Sequence, residues 1–224
     1  MVLAIEECKA VNLTNLPSLT ILTGDDTGQF EWMKSQFLHQ IQYDVADLNV
    51  AYFDMKEAAY PDVEIDLVSL PFFSEEKIVI LDHLLDITTA KKRYLTDEEL
   101  KSFEQYLENP ADTTKLVIFA EGKLDSKRRI VKLLKRDGKI FEASEPKEQD
   151  LRTYFSKQVQ ERGLELRSQV LEELLIKSGF DFSEISKNLA FLKDYKKDDI
   201  ITSEDIAEAI PKTLQDNIFD LTQM

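Results

Sequence analysis

Short apolar runs and helix-spaced apolar stripes alternate along the first two thirds of the chain. "LTILTG" (Leu19–Gly24) is a compact apolar and β-branched run stopped by glycine, which predicts a strand. Behind it Phe30, Met33, Phe37 and Ile41 recur at helical spacing. "LNVAYFD" (Leu48–Asp54) and "KIVIL" (Lys77–Leu81) predict a second and a third strand. Thr96–Glu108 reads as a helix, with Thr96 and Glu99 at capping-box spacing. "TKLVIFAE" (Thr114–Glu121) is a fourth strand, Asp125–Arg136 a basic amphipathic helix and "GKIFEA" (Gly138–Ala143) a fifth strand. Strands that are apolar nearly throughout, alternating with helices, imply an α/β domain: a mostly parallel sheet covered on both faces.

After "SEPKEQD" (Ser144–Asp150) the pattern changes. Four helical stripes follow, over 151–163, 167–179, 181–195 and 203–210, and Gly163 and Gly179 sit where helix stops belong. The expected organisation is an α/β domain over 1–144 and a small all-α domain over 145–212. "KTLQDNIFDLTQM" opens one more apolar helical pattern and then stops, so residues 213–224 are expected to begin a further region that a truncated chain lacks. "DYKKDD" (Asp194–Asp199) reads as a solvated loop.

Charge narrows the function classes. Lys and Arg number 28 against 43 Asp and Glu, a net charge of −15. That balance disfavours a general nucleic-acid coat and a binder of anionic membranes. Cys8 is the single cysteine, which excludes a disulfide framework and a thiolate zinc site. With His39 and His83 the only histidines, no metal site and no cofactor are expected. No run approaches the roughly 18 apolar residues of a membrane span. "MVLAIEECKAV" carries acids where a signal peptide carries bases. The expectation is a soluble cytoplasmic protein.

Candidate chemistry is sparse. "GDDTGQFEWMK" (Gly24–Lys34) is a glycine loop between the first strand and a helix, where an NTPase keeps its phosphate cradle. After Gly24 and Gly28, however, Gln29, Phe30 and Glu31 stand where the cradle needs glycine, lysine and a hydroxyl. Asp25 and Asp26 suit a helix start better than a phosphate, and Lys34 comes a turn too late. No Walker-B-like row of acids ends a strand, and Asp54 alone after the second strand is a weak signal. Lys123, Lys127, Arg128, Arg129, Lys132, Lys135 and Arg136 form a cationic cluster broken only by Asp125. It reads as a solvated helix face or as a contact for DNA phosphates or an acidic subunit, Lys127, Arg128, Arg129 and Lys132 being the candidates. No interleaved aromatic ring suits it to single-strand stacking. No Ser–His–Asp, Cys–His or paired-carboxylate arrangement appears, so no catalysis is expected.

"LVSLPFFSEEKIVIL" (Leu67–Leu81) is the stretch that secondary structure does not absorb. Pro71 stops a helix near Ser69 or Leu70. Phe72 and Phe73 must then point in different directions along extended chain. The residues leave two readings open: plugs between helix and sheet, or an apolar wedge for a pocket on a partner.

At these residues the chain resembles the delta subunit of the bacterial DNA polymerase III clamp loader, in its Gram-positive form. The likeness covers the whole chain. It rests on "LTILTGDD", "LVSLPFFSEEKIVIL", "YLENPADTTKLVIFAEGKLDSKRRIVKLLK" and "NIFDLTQM". It implies an AAA+-like α/β domain, a small helical lid domain and a C-terminal collar. It implies that ATP binding has been lost, in keeping with Gln29, Phe30 and Glu31 in the cradle. It implies a hydrophobic plug that grips the sliding clamp (the beta subunit) and opens it for loading onto primed DNA. The positions matching that plug are Leu70, Pro71, Phe72 and Phe73. The gamma/tau and delta prime subunits are implied as partners through the collar, within a DNA-directed DNA polymerase (nucleotidyltransferase) holoenzyme. The alternatives are an active AAA+ ATPase with an unusual cradle and an adaptor whose basic helix binds DNA.

Overall fold

Five strands build one sheet: β1 (Leu19–Gly24), β2 (Val50–Asp54), β3 (Lys77–Asp82), β4 (Thr114–Glu121) and β5 (Lys139–Ala143). They pair in the order β2-β3-β4-β1-β5, every neighbouring pair parallel. The computed structural model describes residues 3–72, 74–196 and 200–210. The chain splits between Glu145 and Pro146 into two compact units.

In the first unit the sheet is sandwiched between helices. Side chains alternate faces along a strand, and β4 shows the consequence. Leu116, Ile118 and Ala120 share a core with α3 (Tyr60–Val68), α4 (Asp97–Glu108) and α5 (Arg129–Asp137), through Val63, Leu67, Phe103, Leu107, Val131 and Leu134. Val117 and Phe119 are buried on the other face, where the Phe119 ring meets Phe37 of α2 (Thr27–Gln40) edge-on at 6.0 Å. The predicted stripe Phe30, Met33, Phe37 and Ile41 is buried throughout. A short α1 (Ala4–Cys8) buries Ile5 and Cys8.

Burial drives the Cys8 thiol up to about 12, so the native chain presents no thiolate near neutrality. Phe119→Ala should cost about 3–5 kcal/mol. Chemical denaturation should register that loss, and labelling of Cys8 by a thiol reagent should accelerate with it. Labelling of the parent chain as fast as that of free cysteine would contradict this burial.

Boundaries differ from the sequence reading at several elements, three of them instructive. β2 starts at Val50 rather than Leu48, because Asp44 and Asp47 turn the preceding chain by accepting from Ala46 N and Asn49 N, each at 2.9 Å. β3 runs one residue further, to Asp82. α5 starts at Arg129 rather than Asp125, since Asp125 accepts from Lys127 N (3.1 Å) and holds a turn there. The capping box at Thr96 and Glu99 forms with both reciprocal bonds.

The second unit carries α6 (Glu148–Glu161), α7 (Ser168–Lys177), α8 (Phe182–Lys196) and α9 (Ser203–Ala209). Gly163 and Gly179 take left-handed φ of +67° and +62° just past α6 and α7. Tyr154, Phe155 and Phe182 form its aromatic centre, with ring centroids 5.1–5.6 Å apart. Among the described residues no helix is long and apolar enough to cross a membrane. The expected collar start at 213–224 lies outside the described residues, as does Phe73; of the stretch 194–199 read as a loop, the described residues Asp194–Lys196 instead continue α8.

A candidate docking wedge and a degenerate phosphate loop

Helix α3 sorts its side chains by period. Tyr60, Val63 and Leu67 face the sheet and are buried, which leaves Ile65 and Val68 on the outer side, 64% and 61% exposed. Ser69 breaks the helix with ψ 154°. Leu70 and Phe72 then each stand 76% exposed, with Pro71 half-buried between them. These two side chains therefore fill no gap between helix and sheet. Four large apolar groups within eight residues make a solvent-facing patch of the kind monomeric proteins avoid. Sequence reasoning missed Ile65 and Val68. The helix period around Val63 and Leu67 could have found them.

The patch has a stiff base. The last-turn carbonyls of α3 lack partners within the helix, and the first residues of two strands supply them. Lys77 Nζ donates to Asp66 O and to Ser69 Oγ (2.6 Å). Thr114 Oγ1 donates to Leu67 O at 3.2 Å. The Lys77 side chain is only 6% exposed; burial drives its pKa down, and the nearby Asp66 carboxylate partly offsets that. Lys77→Met would strand buried acceptors, at a cost of about 1–3 kcal/mol. Urea denaturation should show that loss, and it should leave the patch less ordered.

The glycine loop lies at the opposite, C-terminal end of the strands. It follows β1, whereas the patch precedes β3, and all five strands run the same way. Gly24 takes φ +131°, and a Cβ there would fall 2.0 Å from the Ala143 carbonyl oxygen. The loop is thus pressed onto its own β5 end. Asp26 N donates to Ala143 O (3.1 Å), Gly24 N to Gly122 O (3.0 Å), and Gln29 N to the Asp26 side chain (2.9 Å). These amides are spent on protein, whereas a cradle turns its amides toward phosphate. Gln29 is buried and donates to Asp26 and to Ser144 O (3.0 Å). Phe30, in the position of the phosphate lysine, is a core residue. Gly28, in the same loop, opens the helix as the second residue of α2.

The ends of β2 and β3 hold a cluster that the sequence did not reveal. Asp54 and Asp82 are register partners. Lys34 Nζ lies 2.6 Å from Asp82 Oδ2, the Tyr52 hydroxyl donates to the same oxygen at 2.5 Å, and His83 Nδ1 meets Asp54 at 2.9 Å. Burial, with the Asp82 hydrogen bond, pushes the Tyr52 phenol well up. Lys34 comes a turn late for a phosphate but in place for Asp82. Among the described residues no group of three or more His, Cys, Asp or Glu could hold a metal ion.

The cationic cluster divides into two kinds. Arg128 donates to Asp86 O, and Arg129 pairs with Glu108 and Glu104 of α4, so both tie α5 to its surroundings. Lys127 and Lys132 are exposed. Of the four candidate contacts, Lys127, Arg129 and Lys132 are thus exposed, Arg129 with ion-pair partners on α4, and Arg128 is turned inward.

A family model for the DNA polymerase III delta subunit matches residues 21–144. The DNA polymerase III subunit delta of Bacillus subtilis is 26% identical over 186 residues, covering 81% of this chain and 53% of the relative. The chain thus spans about half the length of that curated relative. Among solved structures, the B. subtilis DNA clamp loader delta protein superposes with TM-score 0.69 at 22% identity, over 98% of this chain and 65% of that one. The Thermotoga maritima RuvB Holliday junction branch migration motor follows with TM-score 0.51 at 13% identity, over 92% of this chain and 64% of that one. The shared fold is a five-stranded parallel sheet flanked by helices, followed along the chain by a helical unit.

Proposed function

Because the chain belongs to the DNA polymerase III delta subunit family, we propose that it grips the sliding clamp through the apolar wedge Ile65, Val68, Leu70 and Phe72 and favours its open form. The observation that carries this reading is the 76% exposure of both Leu70 and Phe72 on a base pinned by Lys77 and Thr114. Phe73, the fourth matching position beside Leu70, Pro71 and Phe72, lies outside the described residues. A prepositioned aromatic and a branched aliphatic side chain fit a hydrophobic pocket at low ordering cost. On this reading the work done by the chain is binding work. A ring that opens at one interface shifts toward the open state only by the wedge's differential affinity for that state.

Residues 1–144 would form the gripping domain, 145–212 the lid, and a collar beginning at 213–224 would join gamma/tau and delta prime around primed DNA in the cytoplasm. ATP use would belong to those partners. The occupied amides of the Gly24 loop and the core position of Phe30 support a chain that does not hydrolyse ATP. Millimolar ATP with magnesium should leave the melting temperature unchanged. A rise of several degrees would favour the ATPase reading instead. The DNA-adaptor reading loses ground at Arg128, which is turned inward onto Asp86 O. Isothermal titration of the clamp with this chain tests the proposal itself: saturable binding supports it, and no heat at high micromolar concentration refutes it.

A further inference from the structure

Of the eleven large apolar side chains exposed among the described residues, six lie on the stretches leading into β2 and β3. Four belong to the wedge. The other two, Val45 and Leu48, are 84% and 69% exposed on the loop between α2 and β2. β2 and β3 are neighbours, and Ile78 N donates to Asn49 O at 2.8 Å, so the two stretches are stitched together at one edge of the sheet. Adjacent strands run about 5 Å apart, which puts both apolar sets on one continuous end of the domain.

The loop is built to hold these side chains still. α2 closes on a left-handed Gln42 (φ +53°), with Tyr43 N returning to Leu38 O at 2.9 Å. The Tyr43 ring packs on Tyr52 at 5.5 Å. Asp44 and Asp47 each accept from a backbone amide two residues ahead, and Val50 N donates to Asp47 O at 3.1 Å. A loop fixed by its own hydrogen bonds loses little entropy on docking.

Area and charge say what docks there. Leu70 and Phe72 together offer roughly 300 Å², from about 150–250 Å² for a large aromatic side chain. A stable protein contact buries about 800 Å² per partner, so the wedge needs a flank. Both stretches are also acidic: 41–49 carries Asp44 and Asp47, and 62–76 carries Asp62, Glu64, Asp66, Glu75 and Glu76, with no Lys or Arg in either. The cations in the strands that follow, Lys77 and Lys115, are turned toward Asp66 and Glu76.

We infer that Val45 and Leu48 form a second docking site for the same ring-shaped protein that takes the wedge, seating on an apolar hollow of that ring rimmed by lysine or arginine. This inference rests on the wedge reading above. Its test compares three forms of the chain against the clamp by surface plasmon resonance: the parent, Val45→Ser with Leu48→Ser, and Leu70→Ala with Phe72→Ala. The loop variant is expected to keep the parent's melting temperature and to bind about ten-fold or more weakly, mainly through faster dissociation. Loop-variant affinity within two-fold of the parent, with the wedge variant inactive, overturns the second site and leaves the wedge standing. Full affinity in both variants overturns the wedge as well. If the loop variant binds the clamp normally but alone converts a dimer of this chain to monomer on gel filtration, the occupant is a second copy and the inference fails.

Discussion

Replacing Leu70 and Phe72 together by alanine is expected to weaken binding to the sliding clamp about 100-fold or more, with the fold untouched. Central aromatic and aliphatic anchors carry most of the energy of such contacts, and truncating one costs about 2 kcal/mol or more. Two truncations therefore exceed 100-fold, since each 1.4 kcal/mol is about ten-fold. Stability should hardly move, because substitutions at exposed sites stay within about 0.5 kcal/mol. Both side chains are 76% exposed, and neither belongs to the core that joins α3, α4 and α5 to the sheet. Calorimetric titration gives the affinity and a thermal melt gives the control. Full affinity in the double variant would remove the wedge from the account.

The second large effect is on folding. Gly24→Ala should destabilise the first unit by about 3 kcal/mol or more and prevent its accumulation at 37 °C. Two independent costs combine. At φ +131° a side chain is strained whatever the space around it. The added Cβ would also meet the Ala143 carbonyl oxygen at 2.0 Å, and that backbone is fixed by the β1–β5 pairing. The glycine that a phosphate loop would keep for its ligand is kept here for closing β1 onto β5. Urea denaturation followed by circular dichroism reads the loss. A variant as stable as the parent would mean the loop is open, and the argument for a filled cradle would fall with it.

The strands were legible because buried parallel strands are apolar from end to end, as "KIVIL" and "TKLVIFAE" are. The helix caps were legible too, since Thr96 and Glu99 advertise their bonds by spacing alone. The turn at Asp125 and the early break at Leu48 were not. In both, an aspartate side chain captures backbone amides two residues on, a local choice that apolar periodicity does not register. The departure from a phosphate cradle was visible as three residue types, but the bonds this loop makes within the fold were not. Gln29 bonding Ser144 O and Lys34 reaching Asp82 join residues 115 and 48 positions apart.

The wedge shows the same limit. Pro71 and its aromatic neighbours were conspicuous in sequence, yet residue types alone left plug and anchor both open. Exposure excludes the plug for Leu70 and Phe72 and leaves the anchor as the proposal, to which the helix period adds Ile65 and Val68. The base beneath them depends on Lys77 and Thr114, which sequence presents merely as the first residues of two strands. The cationic cluster moved the other way. Arg128 and Arg129 looked available in sequence and are engaged with Asp86 O and with α4.

The most direct test places a photoreactive benzoylphenylalanine at position 72 and, as a control, at position 25 in the glycine loop. Irradiated with the clamp, the chain carrying it at 72 should form one adduct, mapping to a single apolar pocket on the ring, and the control should form none. Adducts from position 25, or none from position 72 at saturating clamp, would contradict the proposal that this domain grips the clamp through its wedge.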